Sequence, residues 1–261
     1  MAVSDKVIDV EDVIKNWASN YVQKYSDKDV KKLADLDDIL STDINLKKLR
    51  IVHGKPEYKA LGPLGDMPSA YVLFKTSFTN STDNDQENLL KTERKTRSSC
   101  AISIDKGYTI GGSIGVTLSP PNPVIQANAG FSKEISLKNV EEQTLDEELT
   151  WTVDTKITIP KHTETTAELL IEEEEYNGKF TVETKFEGKV QVTIRNKKDK
   201  NNVLTIITGD IGDVLSGEHG FFTKLEGNKK AVVYFATEGV CLCRYGIKQQ
   251  MVLKQKALKD D

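Results

Sequence analysis

Residues 107–132 read GYTIGGSIGVTLSPPNPVIQANAGFS, a stretch with no charged side chain in a chain that is 29% charged. Lys106 precedes it and Lys133 follows it. Ser119, Pro120, Pro121, Asn122 and Pro123 lie at its midpoint, a composition that turns the chain. Each arm alternates. On the first, Tyr108, Ile110, Gly112, Ile114, Val116 and Leu118 share one face, and Thr109, Gly111, Ser113, Gly115 and Thr117 share the other. On the second, Ile125, Ala127, Ala129 and Phe131 oppose Gln126, Asn128, Gly130 and Ser132. The apolar positions are even on one arm and odd on the other. A hairpin with a single apolar face must therefore pair residues whose numbers sum to an odd value. A sum of 241 pairs Val116 with Ile125, and a sum of 243 pairs Leu118 with Ile125.

Strands that cross a membrane need about 9–11 residues, apolar toward lipid and polar toward a lumen. The two arms fit that requirement. The expected lipid face is the apolar set, with Tyr108 and Phe131 near its ends as an aromatic girdle and Lys106 and Lys133 reaching lipid head groups. The expected lumen face is the polar set, continued at its base by Asp105 and Glu134. Ser119 to Pro123 form the hairpin tip. One hairpin leaves two open edges, which hydrocarbon does not tolerate. The smallest membrane barrels have about eight strands, so about four chains or more must each donate a hairpin. The competing reading is an ordinary amphipathic hairpin packed on the protein's own core.

Outward from this segment, strand signals dominate from Ser69 to about residue 195. TWTVDTKITIP, Thr150 to Pro160, alternates around β-branched residues. Asn177-Gly178 separates two alternating runs and predicts a tight hairpin turn. The acidic run Glu172 to Glu175 reads as a solvated strand end, and NKKDKNN, residues 196–202, as a polar turn. VLTIITG, KAVVYFA and VCLCRYGI read as short strands, and KQKALKDD as a frayed tail. Toward the N-terminus, Val10, Val13, Ile14, Trp17, Tyr21, Val22 and Tyr25 follow helical spacing over residues 9–25, with Asp9 as N-cap. Helical character continues through residues 27–50, and Gly54 to Pro68 reads as loop. The expected fold class is mainly β with a small helical N-terminal part. It divides into a helix-containing cap (1–75) that could bind a receptor, a β module (76–195) carrying the 107–132 hairpin, and a C-terminal β segment and tail (196–261).

The 261 residues carry a net charge of −4 with a mean hydropathy of −0.44, which gives no general attraction to nucleic acid or anionic lipid. No apolar run reaches the length of about 18 residues that a membrane helix needs. His53, His162 and His219 are isolated, and H-E-x-x-H does not occur. Gly107 and Gly112 have the spacing of a phosphate loop, but Ser113 stands where its lysine should be. We therefore expect no enzyme, cofactor or metal site. Cys100, Cys241 and Cys243 form no disulfide framework; they read as small buried side chains, with a bond to Cys100 or a redox role as alternatives. The start, MAVSDKVIDVEDVIKNW, has acidic residues where a signal peptide needs an apolar core. A removed signal, unconventional export and action inside cells all stay open.

The order of features resembles the epsilon-toxin and mosquitocidal-toxin branch of aerolysin-like β-pore-forming toxins and, among the eukaryotic members, the small hydralysin type most. The resemblance runs from about Ser77 to Val192: SFTNSTDNDQENLL, KTERKTRSS, the uncharged hairpin, SKEISL, TWTVDTKITIPKHTETTAELLI and the run ending KFEGKV. It implies an elongated molecule of long twisted antiparallel strands, secreted and then bound to a target-cell membrane through lipid or a surface receptor. It also implies a ring of about seven or eight chains and conversion of the tucked hairpin into a barrel. Lys254 or Lys256 would be a point of activating cleavage. A non-lytic, lectin-like or defensive binding protein on the same scaffold and an intracellular pore former on vesicle membranes are the competing functions.

Overall fold

In this computed structural model, residues 7–25, 40–62, 70–126, 131, 134–137, 143–196, 202–227 and 230–258 are described. In chain order the elements are β1 (Val7–Asp9), α1 (Val10–Tyr25), β2 (Leu40–Asn45), β3 (Leu49–His53), β4 (Glu57–Ala60), β5 (Ala70–Asn80) and β6 (Gln86–Thr109). They continue with β7 (Val116–Leu118), α2 (Asn122–Gln126), β8 (Ile135–Leu137), β9 (Gln143–Ile159), β10 (Thr163–Asn196), β11 (Asn202–Asp210), α3 (Ile211–Leu215), β12 (Phe221–Glu226) and β13 (Lys230–Ala257).

The spine is β10, 34 residues in one strand and so roughly 110 Å long. Both of its edges are taken. Along one run β5, β4, β3 and β2, all antiparallel to it, so that these four strands, taken in chain order, follow it from Asn196 back to Thr163. Along the other, β13 pairs with Thr163–Phe186 and β11 with Lys189–Asn196. β13 then pairs with β6, which pairs with β9. The mainly β, elongated architecture expected from the sequence is what the chain adopts.

The buried side of β10 changes parity across the acidic run. Thr165, Ala167, Leu169 and Ile171 are buried before it; Tyr176, Phe180, Val182, Thr184, Phe186, Val190, Val192 and Ile194 are buried after it. Successive residues face opposite sides of a strand, so the molecule has two cores on opposite faces of one spine. The smaller is covered by the β6–β9 hairpin, through Leu90, Val153, Ile157 and Ile159. Its far end is pinned by the buried Asn80, whose amide donates to the carbonyls of Ile159 (3.0 Å) and Asn84 (2.8 Å). The larger core receives α1, α2 and α3, β7 and β8.

Several sequence expectations are corrected. Asn177-Gly178 makes no turn: both residues lie inside β10, Asn177 opposite Leu242, and Gly178 between Cys241 and Ala60. Glu172 to Glu175 lie mid-strand, not at a solvated end, with Glu173 2.8 Å from Arg244 and only 9% exposed. KAVVYFA and VCLCRYGI are parts of one 28-residue strand, which also takes in Lys254 to Ala257 of the expected tail. Residues 40–45, 49–53 and 57–60 are strands, where helix and loop were expected, because β10 offers them an unpaired edge. Residues 26–39 and 63–69 lie outside the described residues, as do 197–201 of the polar turn. The N-terminal helix is as expected: Asp9 caps it, accepting from the Glu11 amide at 2.8 Å, and Val10, Ile14, Ala18 and Val22 are buried.

Candidate functional site

β6 carries the chain into the uncharged segment, and the segment does not continue as a strand. After Thr109 the chain turns tightly at Gly111 and Gly112, both at positive φ, with reciprocal backbone bonds between Ile110 and Ser113. A short strand follows, β7, which pairs not with the segment's second arm but with β8 beyond it: Val116 opposite Leu137, Thr117 opposite Ser136 and Leu118 opposite Ile135. The tip is a short helix, α2, with Pro120 and Pro121 buried before it. The expected pairings at sums of 241 and 243 are thus absent from this state. Ile125, expected on a strand, lies on α2.

The alternation of the first arm nevertheless decides what is buried. Tyr108, Ile114, Val116 and Leu118 are 0–2% exposed, while Gly111, Ser113 and Gly115 are exposed and Thr109 and Thr117 half-buried. Ile110 and Phe131 are half-buried against the same core, Gly112 is exposed in the turn, and Ile125 is 50% exposed. Ala127, Ala129, Asn128, Gly130, Ser132 and Lys133 lie outside the described residues. Gln126, Asp105 and Glu134 are exposed, as are Ser119, Asn122 and Pro123 at the tip. Lys106 lies 3.7 Å from Glu238 and over the Phe235 ring. On the first arm, the apolar side chains expected to meet lipid are therefore turned onto the protein's own core, where each buried aliphatic side chain contributes about 1.5–3 kcal/mol.

Three contacts hold the segment down. Tyr108 sits edge-on to Phe186 and Phe235 at 5.0 and 5.4 Å, its hydroxyl buried beside Thr184; burial pushes its pKa up to about 12. At the tip, the Tyr58 hydroxyl donates to the Ser119 carbonyl at 2.6 Å. Tyr58 itself packs edge-on to Tyr176, and the two tyrosines with Pro120, Pro121, Pro123 and Ile125 line a cleft of about 550 Å³. Burial, then the nearby Cys241 and Tyr176, raise the Tyr58 pKa far above its ordinary value, so it remains a donor at any physiological pH. At the base, β1 pairs in parallel with the start of the segment, Val7 opposite Gly107 and Asp9 opposite Thr109. Sequence reading missed Tyr58, Tyr176 and the β8 clip. Tyr58 sits in a stretch read as loop, and nothing local links it to Ser119.

Cys100 and Cys243 face each other across the β6–β13 ladder and form a disulfide. Cys241 is a free buried thiol, its pKa pushed up to about 12 by burial.

No family model matches the sequence, and no curated protein matches it significantly. Solved structures do. A non-toxic crystal protein from Bacillus thuringiensis superposes with a TM-score of 0.66 at 17% identity, over 97% of this chain and 98% of that one. A structure of the Cry23Aa1 and Cry37Aa1 binary complex matches with a TM-score of 0.54 at 15% identity, over 97% and 90%. The chain has the mainly β, aerolysin-like fold.

Proposed function

We propose that this chain, built on the aerolysin-like β-pore-forming fold, is the water-soluble form of a pore-forming toxin. It binds a target membrane through lipid or a surface receptor and assembles with copies of itself, about seven or eight by the family resemblance. Each copy then turns residues 107–132 into one hairpin of a transmembrane barrel. No catalytic step is required. It acts on a target cell after export; a vesicle membrane within the producing cell is the alternative site.

The observation that supports this reading is the tucked segment itself. Its apolar first-arm side chains Ile114, Val116 and Leu118 are buried, yet among the described residues the backbone that carries them is clipped by only three strand pairs. Such a segment leaves the core at far smaller backbone cost than a strand with both edges paired, and lipid then replaces the core as the apolar partner. A second reading has its own support: the Bacillus thuringiensis neighbour is a non-toxic crystal protein, so a non-lytic binding protein on this scaffold is the rival. Dye release from liposomes and cells, with and without protease, separates them when the same samples are run on a denaturing gel. Leakage with detergent-resistant oligomers supports the pore. Binding without leakage under every condition assigns the chain to the non-lytic reading.

A further inference from the structure

The β6–β9 ladder runs from Gln86 opposite Ile159 to Ile102 opposite Gln143 without a register shift, each pair summing to 245. The β7–β8 pairs sum to 253. Between the two ladders the first arm advances from 102 to 118, 16 residues, while the second goes only from 143 to 135, which is 8. The first arm thus carries 8 residues of slack. Part of it is stored in the Ile110–Ser113 turn, where a Cβ on Gly111 or Gly112 would meet nothing within 4 Å. Both sums are odd, so both registers put the apolar residues of the two arms on the same side.

We propose that on a membrane the β6–β9 ladder grows through the segment in its own register, so that Ser136 exchanges Thr117 for Thr109 and the hairpin closes with Pro120 opposite Ile125. This rests on the pore reading above and specifies the barrel it builds. Extending an existing ladder orders only the next residues at each step, with the loop already closed. A sum of 243 or 241 would interpose a bulge of two or four residues at the junction with β9. The continuous register puts Ile110 opposite Ile135 and Ile114 opposite Phe131 on the lipid side, and Gly111 opposite Glu134 on the lumen side. It differs from both sums read from the sequence. It also evicts β1. Thr109 now pairs in parallel with Asp9, whereas in a closed barrel of hairpins both edges of every strand are held by neighbouring arms.

Pairs of introduced cysteines read the register directly, because residues directly opposite have Cβ atoms about 4.5–5.5 Å apart. Thr117→Cys with Ser136→Cys should join on oxidation in solution, and the locked protein should lose at least about tenfold in leakage rate until reduced. Thr109→Cys with Ser136→Cys should join within one chain only in detergent-resistant oligomers on liposomes, as peptide mapping shows. In those oligomers Ser119→Cys should join Gln126→Cys, whereas Thr117→Cys and Gly115→Cys, the partners at sums of 243 and 241, should not. Thermal melts of the reduced variants confirm that each folds like the parent. The proposal is overturned if the oxidised 117–136 protein leaks like the parent, or if Gln126→Cys joins position 117 or 115 in the oligomer. A parent protein that neither leaks nor oligomerises brings down the pore reading, and this register with it.

Discussion

Asn177-Gly178 lies inside the longest strand of the molecule, whereas Gly111-Gly112 turns the chain back on itself at the end of β6. Both dipeptides sit among residues that alternate apolar and polar, and both are turn formers by their own chemistry. What differs is the surroundings. Gly178 has Cys241 on one edge and Ala60 on the other, and the space a Cβ would need is filled by the Tyr176 ring, with its hydroxyl oxygen at 2.7 Å. Gly111 and Gly112 have open space around them. Where both edges of a strand are taken, backbone pairing outweighs a local turn preference; where they are not, the preference is expressed. In this chain the second condition holds at the segment proposed to move.

The largest effect should come from disturbing the doubly paired region. A Cβ at Gly239 in β13 would lie 2.2 Å from the Ser103 carbonyl oxygen and 2.6 Å from the Phe180 ring. Gly239→Ala should therefore cost about 3 kcal/mol or more in a urea melt. A change under about 1 kcal/mol would mean that the ladders are less tightly fixed than the spine argument requires.

Next comes the open turn. Gly111→Ala with Gly112→Ala meets no steric obstacle, but each alanine at positive φ costs about 1–2 kcal/mol. An extended strand has no such strain. The double variant should be less stable in solution yet leak faster on liposomes. Slower leakage would contradict the view that this turn stores slack for the hairpin.

The third test concerns the edges of the spine. Glu168 bridges them, 3.1 Å from Lys75 of β5 and 2.6 Å from Lys254 of β13. Hydrogen bonds from Lys254 first, then Lys75, hold its carboxyl below the ordinary glutamate value of 4.5. A depressed folded-state pKa contributes stability that is complete above the unfolded value and is lost as pH falls through the folded one. Melting temperature should thus fall below pH 4.5, and Glu168→Gln should flatten that acid limb. An unchanged limb would assign it to other carboxylates. Lys254, weighed from sequence as a cleavage point, is paired inside β13, which disfavours cleavage without local opening.

How much of this was legible depends on range. The mainly β class, the capped helix and the burial of the first arm's apolar face follow from periodicity, a property of neighbouring residues. The 34-residue spine was not legible, because it depends on partners 60 to 120 residues away that overrule Asn177-Gly178. The β7–β8 clip was hidden for the same reason: parity permits any odd sum, and only the fold chooses 253. The tip contact between Tyr58 and Ser119 spans 61 residues and leaves no local trace. It is also the smallest lever. Tyr58→Phe removes one hydrogen bond, about 1 kcal/mol, and should speed the onset of leakage severalfold with little change in melting temperature; a slower onset would argue that this contact does not restrain the tip.

On the membrane, one face of this segment is proposed to exchange protein for lipid. A single environment-sensitive fluorophore placed on cysteine at each position from 113 to 118, read with lipid-phase quenchers before and after binding to liposomes, tests it directly. A period of two is expected on the membrane, with positions 114, 116 and 118 quenched from the bilayer and positions 113, 115 and 117 in water. An unchanged pattern on bound protein, or quenching without alternation, would contradict it.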